Sequence, residues 1–278
     1  MPQYTQIGLR SAESRFLKVY YTRPKLNYMT RLLEICCADA ESVDAAISGG
    51  ADRIELCSAL SEGGLTPSKG LIDYACSRAE IPVNVLIRPR GGDFVYTDAE
   101  TDIMISDIEY AAKAGAAGVV IGALNVDGTI DFDCCERMVS CAKSHNLTVT
   151  FHRAFDLSSD PILALANILL LRCDRLLTSG QAADAIQGSD LIGRLIKETE
   201  GKLIILAGAG VTPANAASLI DLTGATELHA SAKTTRRSAM TYRNMSATMG
   251  RADADEYSRT VTSAEIVAQL ANIIHSKP

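Results

Sequence analysis

Two short apolar segments carry the same chemical ending. Leu33-Glu34-Ile35-Cys36 and Ile54-Glu55-Leu56-Cys57 each place an acid two positions before a thiol. Side chains alternate faces along a strand, so Glu34 and Cys36 share one face, as do Glu55 and Cys57. Between the segments, Ala40 to Ser48 has helical spacing and runs into Gly49-Gly50. The unit therefore reads strand, helix, strand, and its two strands should be parallel neighbours. Two thiols then sit side by side, each with a carboxylate one step below. Cys37 should face the other way, as a structural residue.

Such a pair needs a frame that delivers strand ends to one place. Apolar, β-branched runs recur at Leu32–Ala38, Arg53–Ala59, Val83–Pro89, Gly118–Leu124, Thr148–Phe155, Arg175–Gly180, Leu203–Gly208 and Glu227–Ala232. Segments of helical spacing separate them, among them Asp102–Ala114 and Asp133–Ser144, and Asp160-Pro161 and Thr212-Pro213 read as helix starts. Eight strands alternating with helices predict an α/β fold, a single-domain TIM (β/α)8 barrel over residues 29–278, close to the roughly 250 residues such barrels use. A doubly wound sheet would carry a Gly-rich dinucleotide loop after its first strand. None follows Ala38, so no nucleotide cofactor is expected.

Composition narrows the setting. The 278 residues are 47% hydrophobic with a net charge of -6, no Trp and five Phe, which argues against the basic, aromatic-studded surface that nucleic acid requires. The eight Cys lack the spacing of a disulfide scaffold, and no signal-like segment opens the chain. Reduced thiols and a cytoplasmic location are the expectation. The longest apolar stretch, Ile162 to Leu171 with Asn167 inside it, is too short to span a membrane. Residues 1–28 hold Arg10, Arg15, Lys18, Arg23 and Lys25 without a sustained apolar period, and read as a flexible extension or as the product of a start site upstream of a native Met29. Lys233 to Arg259 reads as a long irregular stretch, a lid over the barrel mouth or an oligomer contact. Its Met240, Met245 and Met249 fit gap-filling better than thioether ligation. A helix over Ser263–His275 should close the barrel, with His275 and His145 near helix C-termini and facing the helix dipole.

In a TIM barrel, function gathers at the C-terminal strand ends. There the chain places Ile87-Arg88-Pro89-Arg90-Gly91-Gly92-Asp93-Phe94, Phe151-His152-Arg153-Ala154-Phe155-Asp156, Leu177-Thr178-Ser179-Gly180 and Glu227-Leu228-His229-Ala230-Ser231. With Gly50-Ala51-Asp52-Arg53-Ile54-Glu55-Leu56-Cys57 and the loop through Gly63-Gly64 to Thr66-Pro67-Ser68, these segments resemble the CutC family over roughly Leu32 to Gly250. The resemblance implies a TIM barrel, a cytoplasmic location, a homo-oligomer (dimer or tetramer) and a copper homeostasis role with Cu(I) held at two thiols, which fall here on Cys36 and Cys57. Cu(I) is soft and favours thiolates, and adjacent strands about 4.8 Å apart would set two sulfurs on either side of one ion. Two thiols are too few for structural zinc. Both are equally at home as ordinary buried core residues. Cys76, Cys134, Cys135, Cys141 and Cys173 fall in or near helices and read as structural.

A second reading is an enzyme. Glu34, Glu55, Arg88, His152, Glu227 and His229 should all face the barrel axis, where such groups are costly to bury unless they pair or meet a ligand. An ion-pair network filling the barrel would account for them, and so would a small anionic ligand. Gly208-Ala209-Gly210 and Ser231, with Lys233 beyond, occupy the strand-seven and strand-eight loops where TIM barrels often hold phosphate. With Arg88 or Arg90 as an anion clamp, Glu34 or Glu55 as base and His152 as acid, isomerase or lyase chemistry on a phosphorylated or anionic metabolite would follow.

Overall fold

Every expected apolar run forms a strand, and consecutive strands pair in parallel. The computed structural model describes residues 31–244, 246–247, 249 and 255–277. The 1–28 extension and Met245 lie outside the described residues. The strands are β1 (Leu32–Cys37), β2 (Arg53–Leu56), β3 (Val83–Leu86), β4 (Gly118–Ile121), β5 (Thr148–Phe151), β6 (Arg175–Thr178), β7 (Ile204–Gly208) and β8 (Glu227–Ala230). They run in sequence order around a closed barrel, and β8 pairs back onto β1 through Leu32↔Glu227 to Ile35↔Ala230. This is the expected TIM barrel.

The helices are α1 (Ala40–Gly49), α2 (Lys69–Arg78), α3 (Asp98–Lys113), α4 (Phe132–Ser144), α5 (Pro161–Leu170), α6 (Ser189–Thr199), α7 (Ala216–Thr223) and α8 (Ala264–Ser276). Strand alternation divides the core. Ile35, Leu56, Val85, Val119, Val149, Leu176, Ile205 and Leu228 point outward into one large apolar cluster shared with the helices. Cys36, Cys57, Leu86 and Val120 form a small separate cluster inside the barrel. Cys37 belongs to the outer cluster, as its parity requires.

Helix starts follow local chemistry. Asp160 caps α5 by accepting from Ile162 and Leu163, with Pro161 in the first turn. α3 begins four residues before the expected Asp102, because Thr97 and Glu100 form a capping box. Thr212-Pro213 opens a turn rather than a helix. The Thr212 amide donates to the Asn215 side chain, the Asn215 and Ala216 amides donate back to the Thr212 carbonyl, and α7 begins only at Ala216.

The stretch expected to be irregular after β8 is structured at both ends. β9 (Lys233–Arg237) and β10 (Ser258–Thr262) pair antiparallel from Lys233↔Thr262 to Arg237↔Ser258. The ribbon leans on the N-terminal end of α1. Arg236 and Arg259 both reach Glu41, Arg259 also approaches Asp39, and the Thr262 amide donates to Ser42. His275 bonds Asp52 at 2.8 Å, so its partner is a carboxylate in the loop before β2 rather than only the helix dipole.

Candidate metal centre

The two thiols meet by a diagonal route. The register pairs Cys36 with Glu55, not with Cys57. Cys57 lies one residue past β2, where its amide donates to the Cys37 carbonyl at 2.9 Å and keeps the strand's alternation going. Its side chain is therefore the next inward one, and the Cys36 and Cys57 sulfurs sit 3.4 Å apart. That is closer than the strand spacing alone would place them. Cys36 is 8% exposed and opens on the barrel mouth, and Cys57 is fully buried behind it.

A carboxylate and an imidazole complete the group. Among the described residues, Cys36, Glu55 and His229 form a cluster whose potential ligand atoms all lie within 4.8 Å of one another. His229 Nδ1 lies 2.8 Å from Glu34 Oε1 and 3.3 Å from Glu55 Oε2. Burial pushes the Glu55 carboxyl up to about 7; the Glu34 charge adds to this, and His229 and Arg53 oppose it. Burial also disfavours a charged His229, but the Glu55 carboxylate and hydrogen bonds to Cys36 and Glu34 outweigh it and raise the ring's proton affinity. Glu55 and His229 thus favour each other's charged forms against their burial. The Cys36 thiol is raised well above the ordinary cysteine range by its hydrogen bond to Cys57, then by burial. The two sulfurs share a hydrogen bond here.

Beneath this group lies an ion network. Arg53, 4% exposed, donates Nε to Glu34 and Nη2 to Glu227, both at 2.5 Å, and Arg175 Nε reaches Glu227 at 3.0 Å. Burial alone would raise Glu34, but the Arg53 charge and the His229 hydrogen bond hold it down to about 2. Glu34 therefore stays ionised and serves as a structural anchor that also orients His229. Glu227 belongs to the same network. Sequence reasoning passed over Arg53 and Arg175, although their parity exposes them: each stands two positions before an inward residue, Glu55 and Leu177.

The remaining candidates divide. A cavity of about 440 Å³ opens above the thiols and is lined by Cys36, Glu55, Arg88, His152, Gly210 and Ser231, with other residues between. Arg88 spends its guanidinium on the carbonyls of Glu62, Gly64 and Gly92, at 2.6 to 2.9 Å, and so fastens two loops together. Arg90 turns away to Glu100, Asp93 and the Val95 carbonyl, tying its loop to the start of α3. Gly208 lies against Leu177 and His229, where a Cβ would have no room. His152 is held down to about 3 by burial and by the neighbouring Arg88 charge, so it stands as a neutral imidazole.

A closed parallel barrel with two adjoining sulfurs, a carboxylate and an imidazole at its C-terminal mouth defines a thiol-bearing (β/α)8 protein with a candidate soft-metal centre. The CutC family profile matches residues 31–234. A human protein named copper homeostasis protein cutC homolog is 46% identical over 240 residues, covering 86% of this chain and 87% of that one. A family protein CutC from Photobacterium profundum is 46% identical over 246 residues, covering 88% of this chain and 100% of that one. The crystal structure of CutC from Streptococcus agalactiae, named as a copper homeostasis protein, is similar with a TM-score of 0.68 at 31% identity, over 73% of this chain and 99% of that one. The chain belongs to the CutC family. Among the described residues, no helix is long and apolar enough to cross a membrane.

Proposed function

We propose that this chain is a cytoplasmic copper homeostasis protein that binds Cu(I) through Cys36 and Cys57, with Glu55 and His229 beside them. One observation carries the reading: the sulfurs lie 3.4 Å apart, with the Cys36 side opening on a cavity and the Glu55 and His229 donors within 4.8 Å. Two metal–thiolate bonds of roughly 2.3 Å span about 4.6 Å when collinear. The sulfurs then part by about 1 Å on loading, within reach of small side-chain rotations. Thiolates are the ligands, so loading releases protons, and the raised Cys36 thiol loses its proton only to a metal or a strong base. The relatives' copper homeostasis names support the assignment. The reading includes a homo-oligomer, dimer or tetramer, which light scattering on the full chain measures directly.

The test is an anaerobic Cu(I) titration against a competing chelator. Cys36→Ser and Cys57→Ser should each abolish the tight site, and Cys141→Ser, on α4, should keep it. Unchanged stoichiometry in both of the first two variants would remove the copper site.

A further inference from the structure

The two thiols differ in what covers them. Cys36 lines the cavity and is 8% exposed, whereas Cys57 is fully buried and takes no part in the cavity wall. The cover over Cys57 is the loop that follows it, residues 59–64. A Cβ on Gly64 would stand 3.6 Å from Cys57 Cβ, 3.8 Å from its sulfur and 2.8 Å from Leu86 Cδ2, so the loop backbone lies directly on that thiol. Leu60 packs against the small cluster of Cys36, Cys57, Leu86 and Val120. Leu60, Gly63 and Gly64 also line the cavity, which makes this flap the partition between the cavity and Cys57.

Both feet of the flap are tied by backbone. Ser58 and Leu65 exchange amide–carbonyl bonds at 2.9 Å, the Thr66 amide donates to the Arg88 carbonyl at 2.9 Å, and the Arg88 amide donates to Thr66 Oγ1 at 2.8 Å. The tip depends on a side chain instead. Arg88 Nη1 donates to the Glu62 carbonyl at 2.6 Å and to the Gly64 carbonyl at 2.9 Å, while Nη2 donates at 2.9 Å to Gly92, in the loop after β3. Phe94 backs the guanidinium, its ring centre 4.9 Å from Cζ. A guanidinium suits this work, since it is planar, always charged and carries several donors in a fixed fork, and bonds from a charged donor are the stronger kind.

We propose that Arg88 is a positioning residue of the thiol pair: by latching the tip of the 59–64 flap it keeps Cys57 sealed behind Cys36, so that an ion or reagent entering the cavity meets Cys36 first and reaches Cys57 only as the flap yields. The bearing of this order on copper uptake rests on the copper reading, and the latch itself does not.

The experiment is site-resolved alkylation of the metal-free full chain with N-ethylmaleimide, read over time by mass spectrometry of tryptic peptides. Trypsin releases Cys57 as the one cysteine of residues 54–69. In the unaltered chain Cys36 should react before Cys57. In a Cys36→Ser background, which removes the competing thiol, Arg88→Met should speed Cys57 alkylation by roughly tenfold or more, the loss of one hydrogen bond from a charged donor. Cys37 and Cys135, fully buried in the outer cluster, should keep their rates. Gly64→Ala, placed at a φ of 93° with its methyl against Leu86, should lift the flap with Arg88 intact and speed Cys57 in the same way. An unchanged Cys57 rate in Arg88→Met would overturn the proposal. Equal acceleration of Cys37 and Cys135 would do the same, because it marks general loosening rather than a released latch. Should Arg88→Met fail to fold, Gly64→Ala decides, and a Cys57 rate equal to the background removes the flap as its cover. With metal absent throughout, failure here leaves the copper assignment standing, and a failed copper titration leaves the latch standing.

Discussion

Replacing Arg53 by methionine tests the ion network under the thiols. The substitution keeps most of the side chain's apolar length but deprives Glu34 and Glu227 of donors at 2.5 Å. Removing one partner from a buried pair costs about 3–5 kcal/mol. Glu227 keeps Arg175 at 3.0 Å and Glu34 keeps His229 at 2.8 Å, so the lower figure applies, about 3 kcal/mol. The Glu34 carboxyl is held at about 2 against its ordinary 4.5, the Arg53 charge and the His229 hydrogen bond outweighing burial. For a chain of this size, a loss of about 3 kcal/mol is a fall in Tm of roughly 6–12 °C at pH 7. The pH dependence carries a sign of its own. Because the folded value lies below the unfolded one, the Glu34 contribution is complete above pH 4.5 and is lost as the pH falls toward 2. The gap between wild type and Arg53→Met should therefore be widest at pH 7 and narrow at pH 3, as read by circular dichroism melts at a fixed scan rate. A loss under about 2 °C at pH 7, less than 1 kcal/mol by the same conversion, or a gap of equal size at both pH values, would refute the reasoning.

Three further outcomes follow from the same geometry. His152 is accommodated as a neutral ring with a folded value of about 3 against an ordinary 6.5, so protonation favours the unfolded chain and stability should fall as the pH drops from 6.5 toward 3; His152→Phe should flatten the melting curve over that window, and an unchanged slope would count against a buried neutral ring. The Cys36 proton must leave on metal loading, so apparent Cu(I) affinity should rise about tenfold per pH unit for each proton displaced, measured by chelator competition between pH 6 and 8; a pH-independent affinity would exclude thiolate ligation. Gly188 passes so close to β6 that a Cβ would lie 1.9 Å from the Ser179 carbonyl oxygen, backbone against backbone, so Gly188→Ala should cost at least about 1–3 kcal/mol and show as faster limited proteolysis between β6 and α6; wild-type resistance would contradict the close approach.

The barrel was legible because its signals repeat. Eight apolar runs, polar strand ends and the alternation of helical segments left few other closed arrangements, and the parity of Glu34, Cys36, Glu55 and Cys57 assigned the inward face correctly. What stayed hidden depends on contacts between distant segments. Lys233-Thr234-Thr235-Arg236-Arg237 has no apolar alternation, and β9 takes shape through pairing with β10 and ion pairs to Glu41. Arg88 and Arg90 looked interchangeable as anion clamps, yet one is buried at the cavity wall among carbonyls and the other is spent on Glu100. The register that sets Cys36 against Glu55 could not be read from spacing, nor could the consequence that the sulfurs meet on the diagonal.

The belt of Glu34, Arg53, Glu227 and Arg175 shuts the barrel from below. A ligand at the thiols therefore meets paired, buried charges on its inner side and the cavity on its outer side, where Cys36 opens, so among the described residues the belt disfavours passage through the barrel and exchange is favoured at the rim.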